Sequence, residues 1–173
     1  MRYNRTYTSL LYQKENAFNK ENDLLVALVT IVGLIIADQG LKFWVVSNLA
    51  LGSQIKLIPG FFSLTHVQNR GASWGILPGA QGLFIAITVL AVTFFSYKIY
   101  KKHASSSWVN FAYGCLVGGA LGNLIDRLVN GYVVDMLQTD FISFPIFNLA
   151  DSALTIGVII LLLLAKEQDL SLF

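Results

Sequence analysis

Four aspartates stand where aspartates are costly. Asp38, Asp126, Asp135 and Asp151 lie at or near the ends of long uncharged stretches. An ionised carboxylate at the centre of a bilayer costs about 2.5–3.5 kcal/mol on insertion scales, so such residues face a cavity or a partner. Two of the four have a cation close by in the chain. Asp38 and Lys42 form an i,i+4 pair of opposite charge, and Asp126 is followed by Arg127. For those two, a structural ion pair is the simpler reading. Asp135, in Gly131-Tyr-Val-Val-Asp135-Met136, and Asp151, in Asn148-Leu-Ala-Asp151, have no such neighbour. Two carboxylates in a poorly hydrated place do not comfortably both ionise, so one keeps its proton. Such a pair can take a proton from water and give one to a carbonyl oxygen or a leaving amine. This is aspartyl-protease chemistry, which uses neither a metal nor a covalent intermediate.

The spacing Asn-x-x-Asp occurs twice, at Asn123–Asp126 and Asn148–Asp151. Residues three apart share a helix face, so each amide is expected to orient its own carboxylate. The second copy also reads as a helix start, with Asn148 as N-cap, Asp151 in the first turn and Pro145 just before. Other chemistries lack their residues. A serine triad would need His66, yet there is no Gly-x-Ser-x-Gly elbow, and His66 lies in an alternating stretch that suggests a surface or interfacial side chain. His103 belongs to a basic loop. Cys115, the single cysteine, sits in a glycine-rich apolar run as a small hydrophobe, and it excludes a disulfide framework or a multi-cysteine metal site. No phosphate-binding Gly-rich loop with Lys-Ser/Thr occurs. No cofactor and no metal are expected.

The elements that must position these acids are set by the distribution of charge. Of the 173 residues, 55% are hydrophobic and 13% charged, which leaves too little charge for a soluble shell and excludes a disordered chain or a nucleic-acid arm. Uncharged gaps of 14 residues (24–37), 27 (71–97) and 22 (104–125), and a 25-residue stretch (141–165) whose one charge is Asp151, mark four apolar segments. A membrane helix needs about 20 mostly apolar residues. The spans are therefore read as 22–42, 80–98, 107–126 and 147–166, the first with Asp38 and Lys42 at its end. A cleaved leader is the alternative for the first span, but no A-x-A-like site follows it. Lys and Arg number eight on the side of the N-terminus, the 98–102 loop and Lys166, against four on the other (Lys42, Lys56, Arg70, Arg127). The positive-inside rule then places both termini in the cytoplasm and all four acids at the outer face.

Between the first two spans, residues 43–79 alternate loosely between apolar and polar, with turns at Gly52, Pro59-Gly60 and Gly71, and read as a small outer sheet on the membrane. Residues 127–146 form a second outer loop. Gly114, Gly118 and Gly122 make a flat stripe on the third span against which another helix can lie. The fold class is thus a membrane all-α bundle of four transmembrane helices with a small extracytoplasmic β-sheet between helices 1 and 2. Residues 1–21 form a polar extension, loose or surface-bound; 22–166 form the membrane domain; 167–173 form a cytoplasmic tail.

Five blocks, in order, resemble bacterial lipoprotein signal peptidase, also called signal peptidase II. They are Asp38-Gln-Gly-Leu-Lys42, Asn69-Arg-Gly-Ala-Ser-Trp-Gly75, Gly118-Gly-Ala-Leu-Gly-Asn-Leu-Ile-Asp-Arg127, Gly131-Tyr-Val-Val-Asp135 and Phe147-Asn-Leu-Ala-Asp-Ser152. The first departs from the family at Leu41, where Thr is usual, and residues 1–22 have no counterpart. The resemblance implies an aspartyl endopeptidase of the bacterial cytoplasmic membrane that cuts diacylglyceryl-modified prolipoproteins just before the lipidated cysteine. It implies a catalytic pair at Asp135 and Asp151. It implies support from Asp38, Lys42, Asn69, Gly71, Asn123, Asp126, Arg127, Asn148 and Ala150, with Asn69 and Arg127 contacting the substrate backbone or an inhibitor such as globomycin. The expected partners are prolipoproteins and membrane lipids, not nucleic acid, and a monomer is expected. The main rival, a small polytopic proton-coupled transporter or channel, would line a path through the bilayer with its acids; here they gather at one boundary. A non-catalytic assembly factor tied by the glycine stripe leaves Asp135 and Asp151 unexplained.

Overall fold

A computed structural model of the chain describes residues 3–71, 76–77, 79–101 and 107–168. The Ala72–Gly75 end of the second block, Lys102 and His103 of the basic loop, and the tail from 169 lie outside the described residues. The elements are α1 (Tyr3–Asn48), β1 (Gln54–Ile58), β2 (Phe62–Asn69), α2 (Gln81–Lys101), α3 (Ser107–Val129), β3 (Val133–Thr139) and α4 (Leu149–Gln168). Among the described residues, three stretches are long and apolar enough to cross a membrane: Leu24–Asn48, Gln81–Lys101 and Ser107–Val129. In α4 the apolar run is shorter, Leu149–Ala165.

α1 differs from expectation at both ends. Its backbone is helical from Tyr3, where a polar extension, loose or surface-bound, was expected, and it continues past Lys42 to Asn48. The reason lies in composition. No Gly or Pro occurs before Gly33, and Leu, Gln, Lys, Glu and Ala are good helix formers. The helix stops before a turn in which Gly52 takes φ +79°, a conformation open to glycine.

α3 is the central helix and the one most buried, while α1 and α2 present apolar surface outward. Its glycine stripe does what its spacing suggests. Gly114, Gly118 and Gly122 lie against α1, and a Cβ at Gly118 would sit 3.2 Å from the Ile31 Cα. Gly119 lies against α4, where a Cβ would sit 2.5 Å from the Ala150 carbonyl oxygen. α2 packs on α3 but scarcely touches α4, leaving a gap between them.

The sheet is larger than its expected bounds. Its order is β1-β2-β3, antiparallel throughout, and β3 comes from the connection between α3 and α4 instead of from residues 43–79. The run from Val133 to Thr139 opens on two β-branched residues and buries its first four residues in succession, so both faces are covered there, which a solvated loop could not do. β2 carries one extra residue between Leu64 and Val67, opposite Leu137 and Asp135. This bulge diverts Thr65 and His66 toward the 49–53 turn, where Thr65 Oγ1 donates to Ser53 O at 2.9 Å. His66 is buried, not superficial, because its Nδ1 is 2.8 Å from Leu49 O, just beyond the end of α1. Two apolar clusters flank the acids. One lies around Tyr113, Leu116 and Val117 inside the bundle; the other joins Val45, Leu49, Leu64, Val134 and Met136 beneath the sheet.

Candidate active site

Between the two clusters lies a polar layer with Lys42 at its centre. The ammonium sits 2.8 Å from Asp38 Oδ2, 3.0 Å from Asp126 Oδ2 and 3.1 Å from Asn123 Oδ1. Its three protons thus meet three acceptors, and all four residues are buried. A buried charge is tolerated only when satisfied in this way. Asp38 also accepts the Ala150 backbone N–H at 3.0 Å, and Asp126 accepts the Val134 N–H at 2.9 Å. Gln39, which the sequence did not single out, adds a third tie: its Nε2 reaches Asp38, the Gly122 carbonyl and Asp126 at 3.1–3.2 Å. Its place inside the Asp38–Lys42 block was the available signal. This layer pins α1, α3, β3 and the start of α4 together.

The ion pair read between Asp126 and Arg127 is not formed. Neighbours on a helix point about 100° apart, and Asp126 turns inward to Lys42. Arg127 instead places its guanidinium 5.2 Å from the Phe84 ring centroid, with Nη1 3.4 Å from Asn123 O, and its buried Nε has no partner among the described residues. The expected pairing of each asparagine with its own aspartate is also corrected. Asn123 Nδ2 donates to Asp151 Oδ1 at 2.7 Å, not to Asp126. Asn148 Nδ2 donates to Asp135 Oδ1 at 2.8 Å and to Asn123 Oδ1 at 3.0 Å.

The helix-start reading of Asn148 and Asp151 holds at the same time. Asn148 Oδ1 accepts the Asp151 N–H at 2.9 Å, and Asp151 Oδ2 accepts the Asn148 N–H at 3.3 Å, a reciprocal capping box opening α4. One residue therefore touches both acids. The amides are held in one sense. Lys42 can only donate to Asn123 Oδ1, which leaves the Asn123 Nδ2 for Asp151.

Asp135 is placed by the sheet. Its register partner is Val67, and Asn69 pairs with Val133, so Asn69 and Asp135 are diagonal neighbours on one face. Asn69 Nδ2 donates to Asp135 Oδ2 at 2.9 Å, while Asn69 Oδ1 accepts the Gly71 N–H at 2.9 Å. Burial pushes the Asp135 carboxyl up to about 6. The Asn69 hydrogen bond pulls it down, the Asp151 charge raises it, and the Asn148 hydrogen bond and Lys42 charge again lower it. Neither Asp135 nor Asp151 has an ion-pair partner within 4 Å among the described residues.

Both acids line one cavity of about 280 Å³, together with Asn69, Asn123, Arg127 and, from α2, Ile87. Of the eleven residues picked out in the sequence, Asn69, Gly71, Asn123, Arg127, Asp135 and Asp151 line it. Asp38, Lys42, Asp126 and Asn148 stand behind it as buried support, and Ala150 packs against the α3 glycines. Two hydrogen-bonded carboxylates beside a guanidinium, in a polar cavity facing the α2–α4 gap, can hold a water and a peptide carbonyl together.

Comparison with known proteins agrees with this architecture. A family model described as signal peptidase (SPase) II matches residues 30–166. Proteins named lipoprotein signal peptidase resemble the chain along most of its length. The one from Streptococcus thermophilus is 44% identical over 144 residues, covering 83% of this chain and 92% of that one. The one from Enterococcus faecalis is 47% identical over 137 residues, covering 79% and 85%. Two solved structures, both described as a bacterial membrane enzyme studied by the in meso method, superpose with TM-scores of 0.79 and 0.76 at 35% and 36% identity. They cover 85% and 82% of this chain, and 91% and 93% of their own.

Proposed function

The chain belongs to the signal peptidase II family, and from that premise we propose that it is a membrane aspartyl endopeptidase that removes the signal peptide of diacylglyceryl-modified prolipoproteins. It cuts just before the lipidated cysteine, and Asp135 and Asp151 share the work on one water. The observation that carries this reading is the bridge made by Asn148, whose side chain donates to Asp135 and whose backbone donates to Asp151 in one cavity.

In this mechanism Asp135 is the member that keeps its proton, and its burial favours the neutral form. Asp151 takes a proton from the water as the water attacks the scissile carbonyl. Asp135 donates to the carbonyl oxygen, and proton return to the leaving amine completes the cleavage. Arg127 and Asn69 hold the peptide backbone. The Lys42 layer fixes the two asparagine amides, so the carboxylates need no rearrangement at the moment of reaction.

The substrate's acyl chains hold its cysteine at one depth, worth about 0.8 kcal/mol per buried methylene, which brings the bond to the pair with little searching. In this reading α4 is the fourth membrane crossing. Both termini are cytoplasmic, the site faces outward at the bacterial cytoplasmic membrane, and the peptidase works as a monomer. The test is cleavage of a purified precursor in liposomes, with and without its diacylglyceryl group and with EDTA present. Metal-independent cleavage of the lipidated form alone is expected; equal cleavage of the unlipidated form refutes the substrate assignment.

A further inference from the structure

Among the described residues, two buried polar atoms near the acids have no hydrogen-bond partner: Gln81 Oε1 and Arg127 Nε. Gln81 is the first residue of α2. Its Nε2 donates to Arg70 O at 3.1 Å, and the same carbonyl accepts the Gly79 N–H at 3.1 Å. A carbonyl oxygen only accepts, so the amide is held in one sense: Nε2 turns to Arg70 and Oε1 is left over. Buried polar atoms left in this way are costly, and folds keep few of them.

The leftover atoms flank the cavity of Asp135 and Asp151. Arg70 lies between Asn69 and Gly71, both of which line it. Along α2, Gln81, Phe84, Thr88 and Ala91 recur at spacings of three and four and so share a face. Thr88 and Ala91 line the same cavity, and Phe84 carries the Arg127 guanidinium over its ring at 5.2 Å. Gln81 thus stands one turn from the residue that holds the arginine. The two atoms are also complementary, since Arg127 Nε–H can only donate and Gln81 Oε1 can only accept. One residue of an extended peptide presents its N–H and its C=O to the same side, as it does in an antiparallel ladder.

We propose that Gln81 binds the substrate backbone: its Oε1 accepts the N–H of one residue of the extended precursor, whose C=O accepts the Arg127 Nε–H. The proposal rests on the peptidase reading above and adds to it the group that fixes the register of the peptide. Neither atom has another partner to give up, so the peptide gains two hydrogen bonds and the protein loses none. No side chain of the substrate is read, so the contact suits precursors of different sequence. A water could satisfy the same two atoms, but it would be indifferent to the substrate's backbone.

Gln81→Lys separates the two ends of the amide, because it keeps a donor for Arg70 O and removes the acceptor. It is compared with the parent, in liposomes, on lipidated precursors in which one backbone N–H at a time is replaced by an ester oxygen, the scissile bond remaining an amide. An ester at one position is expected to raise the parent's KM by about ten-fold, with kcat changed by less than about two-fold. Gln81→Lys is expected to raise KM for the all-amide precursor by about ten-fold, and the ester at that position then costs nothing further. An unchanged KM in Gln81→Lys, or the same ester response in parent and variant at every position, overturns the proposal and leaves Gln81 as a tie to Arg70. Should Gln81→Lys fail to fold, a precursor with a photoactivated side chain at the ester-sensitive position is crosslinked to the parent enzyme. Label within 79–84 is expected; label confined elsewhere, or the lack of any ester-sensitive position, overturns the proposal. Failure of the parent to cleave the all-amide lipidated precursor would instead strike the peptidase reading itself.

Discussion

Replacing Asn148 by alanine removes the residue that holds both acids, and the structure sets the size of the effect. The N-cap of α4 is lost, worth roughly 1 kcal/mol. Asp135 Oδ1 loses its donor while buried, worth about 1–3 kcal/mol. A total loss of about 2–4 kcal/mol is expected in thermal unfolding in detergent. A structural defect alone would stop there.

The Asn148 hydrogen bond also pulls the Asp135 carboxyl down against burial. Without it, that carboxyl rises above its value of about 6, and the alkaline limb of the pH–rate profile for lipidated precursor moves to higher pH. Asn148→Asp, of nearly the same shape, sets a third carboxylate 2.8 Å from Asp135 Oδ1 and is expected to be worse in both assays. A stable Asn148→Ala enzyme whose pH profile coincides with the parent's would refute the reasoning.

Three further outcomes follow from particular contacts. Lys42→Met strands buried Asp38 and Asp126 without their cation, and about 3–5 kcal/mol of stability should be lost, read as reduced yield of folded protein and a lower unfolding temperature. Gly119→Ala drives a Cβ to 2.5 Å from the Ala150 carbonyl oxygen; a loss of about 1–3 kcal/mol is expected in the same assay, and a neutral change would contradict the close α3–α4 contact. Because the Asp135 carboxyl is raised from 3.8 to about 6, its contribution to stability is fully present below pH 3.8 and fades as pH rises past about 6. Relative to Asp135→Asn, the parent should therefore lose about 3 kcal/mol between pH 4 and pH 7, from a shift of about two units at about 1.4 kcal/mol each. A difference that grows with pH would reverse the sign.

Much of the arrangement was legible because it rests on local rules. Uncharged gaps located the long apolar helices, and glycines four apart located the face of α3 that meets α1. Asp135 and Asp151 stood out for lacking a cation nearby, and they line one cavity. What stayed hidden depends on contacts distant in sequence. The pairing of β3 with β2 joins Asp135 to Val67, and an apolar run between two helices gives no register by itself. Asn123 crosses to Asp151 and the Asn148 amide to Asp135, because Lys42, 81 positions before Asn123, claims the Asn123 amide oxygen. Arg127 could not be seen to leave Asp126 for the Phe84 ring, since adjacency in the chain says little about direction on a helix.

The central claim is that Asp135 and Asp151 act as a unit on one water. It is tested most directly by turnover of lipidated precursor by Asp135→Asn, Asp151→Asn and the double variant, each first checked for a cooperative unfolding transition. The account predicts that either single change brings cleavage to background and that the second change takes away nothing more. Substantial turnover by a folded single variant, or losses that add independently, would contradict it.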